Sequence, residues 1–380
     1  MKLYIALIGT RGIPARYGGF ETCVEEVGKR LAAKGHRVTV YCRNTAKSNT
    51  SGIYLGMKRV ALPALKSKSL ETLSNTFLSV GHALMQNFDV YMLFNAANAP
   101  FVLPLWALFK KVAMNTDGLE WQRTKWGCLG KTYYRLSEKV ACIFTNRLIA
   151  DSVGIHDYYL SRHHTDSTNI AYGADVPAAG SAKMIQDLGL ESGKYFLQIT
   201  RFEPENHPLL TIEAFTRIKT DKKLVLVGGN PYQNPYVEKI YAHASDTIRL
   251  PGFVYDADML AALWGHAFAY VHGNSIGGTN PALLQAMAAG CYTIAYDVPF
   301  NREVLQDCGV YYNKNAADLA AKMSQAIENS ERLDVFRQRA KQRILDHYSW
   351  DAVADQYEEL FYQLVENKFP WRLNWRALIG

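Results

Sequence analysis

Four stretches of the sequence stand at the ends of predicted strands and carry groups suited to anions or sugars. GTRGIPARYGG (Gly9 to Gly19) comes after the apolar run Leu3 to Ile8. Its glycines permit close approach to the backbone, and free N–H groups at a helix start favour negative charge. It is not the dinucleotide fingerprint, because its only G-x-x-G is Gly9 to Gly12 and the Gly18-Gly19 pair falls past a tight turn. HGNSIGGTNPALLQAMAAG (His272 to Gly290) repeats the arrangement: His272-Gly273, then Gly277-Gly278-Thr279-Asn280, then Pro281 at a first helical turn. Exposed amides and a hydroxyl there would cradle phosphate or sugar hydroxyls. In ITRFEPENHP, Arg201 stands just past a third strand. Its planar fork of donors and permanent charge match a diphosphate; the alternative is a surface ion pair with Glu203 or Glu205. In NTDGLEWQRTKW, Asp117 and Glu120 are candidate general bases, and Trp121 and Trp126 offer faces on which sugar rings can stack. For Asp117 the structural alternative is a turn or helix-capping role.

The surrounding periodicity sets these turns in alternating strands and helices. In the first half it predicts strands at Leu3 to Ile8, Arg37 to Cys42, Val90 to Phe94, Val112 to Asn115, Arg147 to Asp151 and Thr168 to Tyr172. Helices are expected at Glu21 to Lys34, Ser69 to Gln86, Pro100 to Lys111 and near Lys131 to Asn146. Gly173 to Lys183, rich in Gly, Pro and Ala, reads as a linker. A second run of strands and helices comes after it, and Trp350 to Lys368 reads as a last helix. The reading is α/β: two doubly wound parallel sheets, with ligands expected at the carboxyl ends of the strands.

At 380 residues, two domains are the default expectation. Residues 1 to 175 hold 22 Lys+Arg against 12 Asp+Glu, a balance of +10, while the remainder hold 20 against 23, or −3. A basic half suits phosphate-bearing ligands, nucleic acid or an anionic membrane surface, and no nucleic-acid-binding signature is present. Lys58-Arg59, Lys66, Lys68 and Lys110-Lys111 contribute to that charge. The six cysteines show no CxxC pair and no metal-ligand spacing, which suggests reduced thiols in the cytosol. No export signal is read at the start, and the apolar run Ala99 to Phe109 falls short of the roughly 20 residues needed to span a bilayer.

The phrases GTRGIPARYGGFET, FNAANAPF, NTDGLEWQRTKW, IAYGAD, RFEPEN, HGNSIGGTNPALLQAMAAG and HYSWDAVADQYEELF together resemble the retaining GT-B glycosyltransferases of family 4, along the whole chain. The likeness is to the bacterial subgroup that includes β-1,4-rhamnosyltransferases of surface polysaccharide synthesis. It implies two Rossmann-like domains: residues 1–175 on the acceptor side, joined by a C-terminal segment 351–380, and residues 176–350 binding a nucleotide sugar. Gly18, Gly19 and Arg201 would then meet the donor diphosphate. His272 and Gly277-Gly278-Thr279-Asn280 would meet the donor sugar and phosphates, with Val254 and Tyr255 near the nucleobase. Asp117, with Arg16, Glu120 and Trp121, would lie on the acceptor side. The chain departs from the family at three places. Gly277 and Gln285 stand where many members carry a pair of glutamates, the second of which binds the donor ribose; Asn206 replaces a lysine; and Asn274-Ser275 replaces a His-Glu pair of the rhamnosyl subgroup.

The resemblance further implies a front-face transfer with retention, needing no metal or other cofactor. The donor would be a nucleotide-diphosphate sugar, with dTDP-L-rhamnose the best match and a UDP-hexose or GDP-sugar the alternatives. The acceptor would be a lipid-diphosphate-linked saccharide, reached by peripheral contact with the inner face of the bacterial plasma membrane. Two other classes stay open: a catalytically silent nucleotide-sugar binder, and a nucleotide-sugar epimerase using Asp117, His272 and Glu303.

Overall fold

The computed structural model describes residues 1–15, 18–44, 51–65, 70–123, 126–178, 180–230 and 234–369. They divide into two compact units, one formed by Met1–Tyr172 with the chain from Trp350 onward, the other by Gly173–Ser349.

The first unit runs β1 (Tyr4–Ile8), α1 (Gly19–Ala33), β2 (Arg37–Arg43), β3 (Gly52–Tyr54), β4 (Met57–Leu62), α2 (Leu70–Leu84), β5 (Val90–Phe94), α3 (Val102–Ala107), β6 (Val112–Asn115), α4 (Cys128–Phe144), β7 (Arg147–Ala150), α5 (Val153–His163) and β8 (Ser167–Asn169). The sheet order is β3-β4-β2-β1-β5-β6-β7-β8, parallel except for β3 against β4. β1, β5 and β6 are apolar almost throughout and buried, as strands covered on both faces must be. Cys23, Val24, Val27 and Leu31 turn one face of α1 into the core. The last helix (Trp350–Val365) packs on α1 and is tied to it through Arg30 with Asp351, 2.6 Å, and through Lys34 with Asp355 and Glu358.

The second unit runs α6 (Ala182–Gln186), β9 (Tyr195–Arg201), α7 (Pro208–Phe215), β10 (Lys223–Gly229), α8 (Pro235–Tyr241), β11 (Ile248–Gly252), α9 (Ala257–Gly265), β12 (Ala269–His272), α10 (Pro281–Ala288), β13 (Thr293–Tyr296), α11 (Pro299–Leu305), β14 (Gly309–Tyr312), α12 (Ala316–Glu328) and α13 (Leu333–His347). All its strands are parallel, in the order β11-β10-β9-β12-β13-β14. One core cluster is built around Phe196, Phe202, Ile212 and Leu224, and another around Tyr195, Leu197, Val225 and Tyr270.

Several elements differ from the sequence expectation. The helix expected over Pro100 to Lys111 is a 3-10 turn (Ala96–Phe101) followed by the short α3, and the chain leaves that helix through Phe109 at φ 52. The strand expected at Thr168 to Tyr172 is the short strand β8 (Ser167–Asn169), at the edge of the sheet, with β7 alone as its neighbour among the described residues. Lys58 and Arg59 lie in β4, which the periodicity does not predict. The linker stretch already contains the start of α6. Lys66 and Lys68 lie outside the described residues.

Candidate functional site

Among the parallel strands of each sheet the order reverses direction once, and a crevice at the carboxyl ends is expected at that point. In the second unit the reversal falls between β9 and β12. Arg201 ends β9 with its side chain 37% exposed; its nearest carboxylate oxygen among the described residues, on Glu203, is 3.8 Å away, too far for a hydrogen bond. The surface ion pair with Glu203 is thus present but loose, with no hydrogen bond between the two groups. Asn206 is buried and turned inward: its Nδ2 donates to the Arg201 carbonyl at 2.9 Å, and its own carbonyl accepts from Gln198 Nε2 at 3.0 Å. It braces the turn that carries Arg201 instead of presenting its amide to a ligand.

β12 delivers His272, which is 1% exposed and lies along the Tyr270 ring at 6.0 Å. Burial pushes its imidazole down to about 3, so it is neutral. It sits beneath the site and does not face solvent. At Gly273 a side chain would collide with the Asn206 carbonyl oxygen, which fixes glycine there. The loop after it is stitched back onto the β9 turn: Thr200 Oγ1 donates to Asn274 Oδ1 at 3.3 Å, and the Ser275 amide and hydroxyl donate to the Glu205 carbonyl at 3.0 and 2.8 Å. His207, at φ 54, holds the Gly273 carbonyl through Nδ1 at 2.7 Å. Beyond these ties the loop opens. Gly277 has φ 134 and, among the described residues, nothing within 4 Å of where a Cβ would be. Gly278 is half-buried, Thr279 is buried, and Asn280 caps α10 by accepting from the Ala282 amide at 3.0 Å. Gln285 is half-buried in α10.

Val254 and Tyr255 come after β11, at the sheet's edge. Tyr255 is 63% exposed and stacks on Phe253 at 5.8 Å and 9°. Phe253 carries no signal in the sequence, yet its ring lies over Gly229, the register partner of Arg201. A flat aromatic pair thus borders the arginine, with Phe253 as its inner member.

In the first unit the reversal lies between β1 and β5. Here the loop polar groups are engaged internally. Gly9, at φ 101, packs so closely that a Cβ would sit 2.7 Å from both Asn98 Nδ2 and the Phe94 carbonyl. Asn98 is fully buried and donates to the Gly9 and Phe94 carbonyls at 3.2 and 2.7 Å. Glu21 accepts from the Arg11 amide at 2.9 Å and Glu25 from the Ala15 amide at 2.7 Å, so α1 pins the GTRGIPA segment. Gly18 is the extended residue before α1 and Gly19 its first residue, with no side chain among the described residues capping the helix start. That leaves first-turn amides for another acceptor. Arg16 lies outside the described residues.

At the end of β6, Asn115 accepts from the Asp117 amide at 3.0 Å and donates from Nδ2 to Tyr357 Oη at 3.1 Å. The turn so formed holds Asp117 half-buried at φ 62, a conformation side-chain-bearing residues adopt at a cost. Glu120 is buried, ion-paired with Arg123 and hydrogen-bonded by Trp126 Nε1 at 3.3 Å, so it is a poor choice for a general base. Trp126 packs on Gly130 and Tyr134, and the Arg135 guanidinium lies over Trp121 at 4.4 Å. The expected stacking faces are in part already occupied.

Asp256-Ala257-Asp258 has the spacing of a metal-binding carboxylate pair, a motif that the expectation of metal independence passes over. Asp256 caps α9 through the Met259 amide at 2.7 Å and Asp258 lies in that helix's first turn. Among the described residues no cluster of His, Cys, Asp or Glu could hold a metal ion. The cysteines are free thiols, all buried except Cys128. No helix of the described residues is long and apolar enough to cross a membrane.

Two doubly wound α/β units of this kind, with sheets of eight and six strands, define the GT-B fold of glycosyltransferases. Residues 181–343 match the family model described as glycosyl transferases group 1. Residues 2–175 match a domain of unknown function, DUF1972. A phosphatidyl-myo-inositol mannosyltransferase of Mycobacterium leprae (strain TN) is 30% identical over 209 residues, covering 52% of this chain and 54% of the relative. The chain thus spans about half the length of that curated relative. Among solved structures, a sucrose-phosphate synthase from Thermosynechococcus elongatus aligns with a TM-score of 0.81 at 18% identity, over 96% of this chain and all of that one. Anabaena Alr3699/HepE, solved with UDP and glucose, aligns with a TM-score of 0.76 at 16% identity, over 95% of this chain and all of that one.

Proposed function

We propose that the protein is a retaining, metal-independent hexosyltransferase that moves a sugar from a nucleotide diphosphate to a lipid-diphosphate-linked saccharide. The observation that carries this reading is Arg201: a partly exposed guanidinium with no hydrogen-bonded carboxylate among the described residues, at the strand-order reversal beside an open glycine loop. As the bond between the sugar's anomeric carbon and the diphosphate oxygen breaks, negative charge grows on the leaving group. A fixed cation and amides aimed at that charge stabilise the transition state more than the ground state. Asp117 would orient the acceptor hydroxyl or take its proton as the new glycosidic bond forms on the same face. Phe253 and Tyr255 would offer the nucleobase an aromatic surface, and Gln285 would hydrogen-bond the ribose without a charge.

The preferred donor is dTDP-L-rhamnose. UDP and GDP sugars are the competitors, since the mannosyltransferase relative and the UDP-bound structural neighbour point to other sugars and bases. Leu108 and Phe109, 56% and 77% exposed next to Lys110 and Lys111, support peripheral contact with an anionic membrane. The test uses purified full-length protein with a panel of dTDP-, UDP- and GDP-sugars, reading thermal stabilisation and release of nucleoside diphosphate with and without chelator. One donor should stabilise the protein and be consumed when lipid-linked acceptor is present, with chelator making no difference. Stabilisation without nucleotide release would indicate a silent binder, and an altered sugar without release an epimerase.

A further inference from the structure

The second unit carries another polar cavity, at the opposite end of its sheet from Arg201. Its volume is about 370 Å³, toward the lower end of the range typical of small-molecule sites. It lies where β9, β12 and β13 begin: Gly193 precedes β9, His266 precedes β12, and Gly290 precedes β13. The outer wall is one face of α13, where Asp334, Arg337, Gln338 and Lys341 fall at helical spacing.

Two features of this wall go beyond ordinary surface charge. The arginines of α13 each have a fixed partner: Arg337 bonds Asp334 at 2.8 Å and the Phe268 carbonyl at 2.9 Å, Arg339 reaches Asp307 at 3.3 Å, and Arg343 donates to the Val304 and Glu303 carbonyls at 2.6 and 2.8 Å. Lys341 alone of these four cations has no hydrogen bond or ion pair among the described residues, although its stem is laid across Gly290 so closely that a Cβ there would collide with it. The opposite wall is equally ordered. His266 Nε2 is 2.9 Å from the Gly180 carbonyl and so carries the proton, which leaves Nδ1 to accept from Ser192 Oγ at 3.0 Å. The Ser192 oxygen can then accept from an occupant of the cavity, which Gln338 also lines.

We propose that this cavity binds a small phosphate monoester on a polyhydroxylated carrier, of the size and class of a hexose phosphate. Lys341 and Arg337 take the phosphate oxygens, and Ser192 and Gln338 take hydroxyls of the carrier. A phosphate is favoured over a carboxylate because it brings a third acceptor oxygen and nearly a second negative charge to two cations, while Asp334, 75% exposed, can give up Arg337 to solvent at little cost. The site is independent of the donor reading, since it is formed by other residues at the other end of the strands.

The test measures binding of a hexose 6-phosphate, the unphosphorylated hexose and inorganic phosphate to the full-length protein by calorimetry, alongside sedimentation with vesicles rich in anionic phospholipid. The hexose phosphate should bind more tightly than either fragment. Lys341→Ala, an exposed change with no hydrogen-bonding or ionic partner to lose among the described residues, should weaken it about ten-fold or more, as loss of a charged hydrogen bond predicts. Arg201→Ala should leave it unchanged. Retained binding in Lys341→Ala with loss in Arg201→Ala would overturn the assignment, placing the phosphate at the donor edge. So would Lys341-dependent binding to vesicles without binding of the soluble ester, which would make the cavity a lipid-headgroup site.

Discussion

The two strand-order reversals of this molecule use similar glycine-rich turns to different ends. At β9 and β12 the braces lie underneath, in Asn206, His207, Asn274 and Ser275, and they hold up an exposed cation and an open loop. At β1 and β5 the braces are within the turn itself: Glu21 and Glu25 take up the Arg11 and Ala15 amides and Asn98 the Gly9 and Phe94 carbonyls, which leaves the first-turn amides of α1 as the donors that a ligand could meet. On the proposed reading, the second unit is preformed for an anion, and the first unit would hold its chemistry further along, in the strained turn at Asp117. Preorganised donors cost nothing to orient at the moment of reaction, whereas a strained residue stores free energy in the fold.

The largest effect expected from breaking this contrast is at Asp117. Asp117→Asn keeps size and tolerates a positive φ but removes basicity, so transfer should fall about 10²- to 10⁴-fold while donor affinity measured by calorimetry holds. Near-normal turnover would return Asp117 to a turn residue. Asp117→Gly should abolish transfer equally and raise the free energy of unfolding, by up to about 1 kcal/mol, because glycine accepts φ 62 without penalty.

Next in size is Gly273→Val, which drives a side chain into the Asn206 carbonyl and the brace below Arg201. A loss of about 1–3 kcal/mol of stability in denaturant titration is expected, together with loss of donor binding. Gly277→Ala meets open space, so it should cost only the strain of φ 134, about 1 kcal/mol, and its binding defect should be milder. Equal effects of the two would mean that the loop, not its support, is the rigid part.

The braces also give the second unit a pH dependence. Burial lowers the folded-state value of His272 to about 3, and it lowers that of His207 as well. Below about 6.5 the unfolded chain binds protons that the folded chain refuses, so stability is complete above that pH and falls as the solution is acidified. The slope should reach about 1.4 kcal/mol per pH unit for His272, and His272→Gln should flatten it in melts between pH 7.5 and 4.5. An unchanged slope in that variant would show that another group carries the proton.

The smallest expected effect is at Tyr357, which anchors Asn115 from the last helix. Tyr357→Phe should lower kcat by about ten-fold without moving donor affinity, the scale of one buried hydrogen bond. A change in donor affinity instead would mean that Tyr357 does not act through the Asp117 turn.

Legibility in the sequence depends on distance along the chain. Arg201, the HGNSIGGTNP loop and Asp117 can be found because each stands directly after a buried strand and is of a type rarely placed there for packing. Their supports cannot: Asn115 and Tyr357 are 242 residues apart, and Thr200 and Asn274 are 74 apart. The β3 and β4 hairpin escapes for a local reason. Its turn is Leu55-Gly56 at φ 48 and 79, and leucine at a left-handed position hides the usual Asn-Gly signal. Glu120 and Trp126 mislead in the other direction, because residue type alone does not reveal that a carboxylate and an indole have already found each other.

Arg201 is the residue on which the transfer reading rests, as the cation that stabilises a diphosphate whose charge grows while the sugar leaves. Measuring kcat and donor Kd separately for wild type and Arg201→Ala tests that role most directly. Turnover should fall about 10²- to 10³-fold and affinity by a smaller factor, because the cation acts most strongly on the transition state. Full activity in Arg201→Ala, or a loss in affinity with none in kcat, would contradict it.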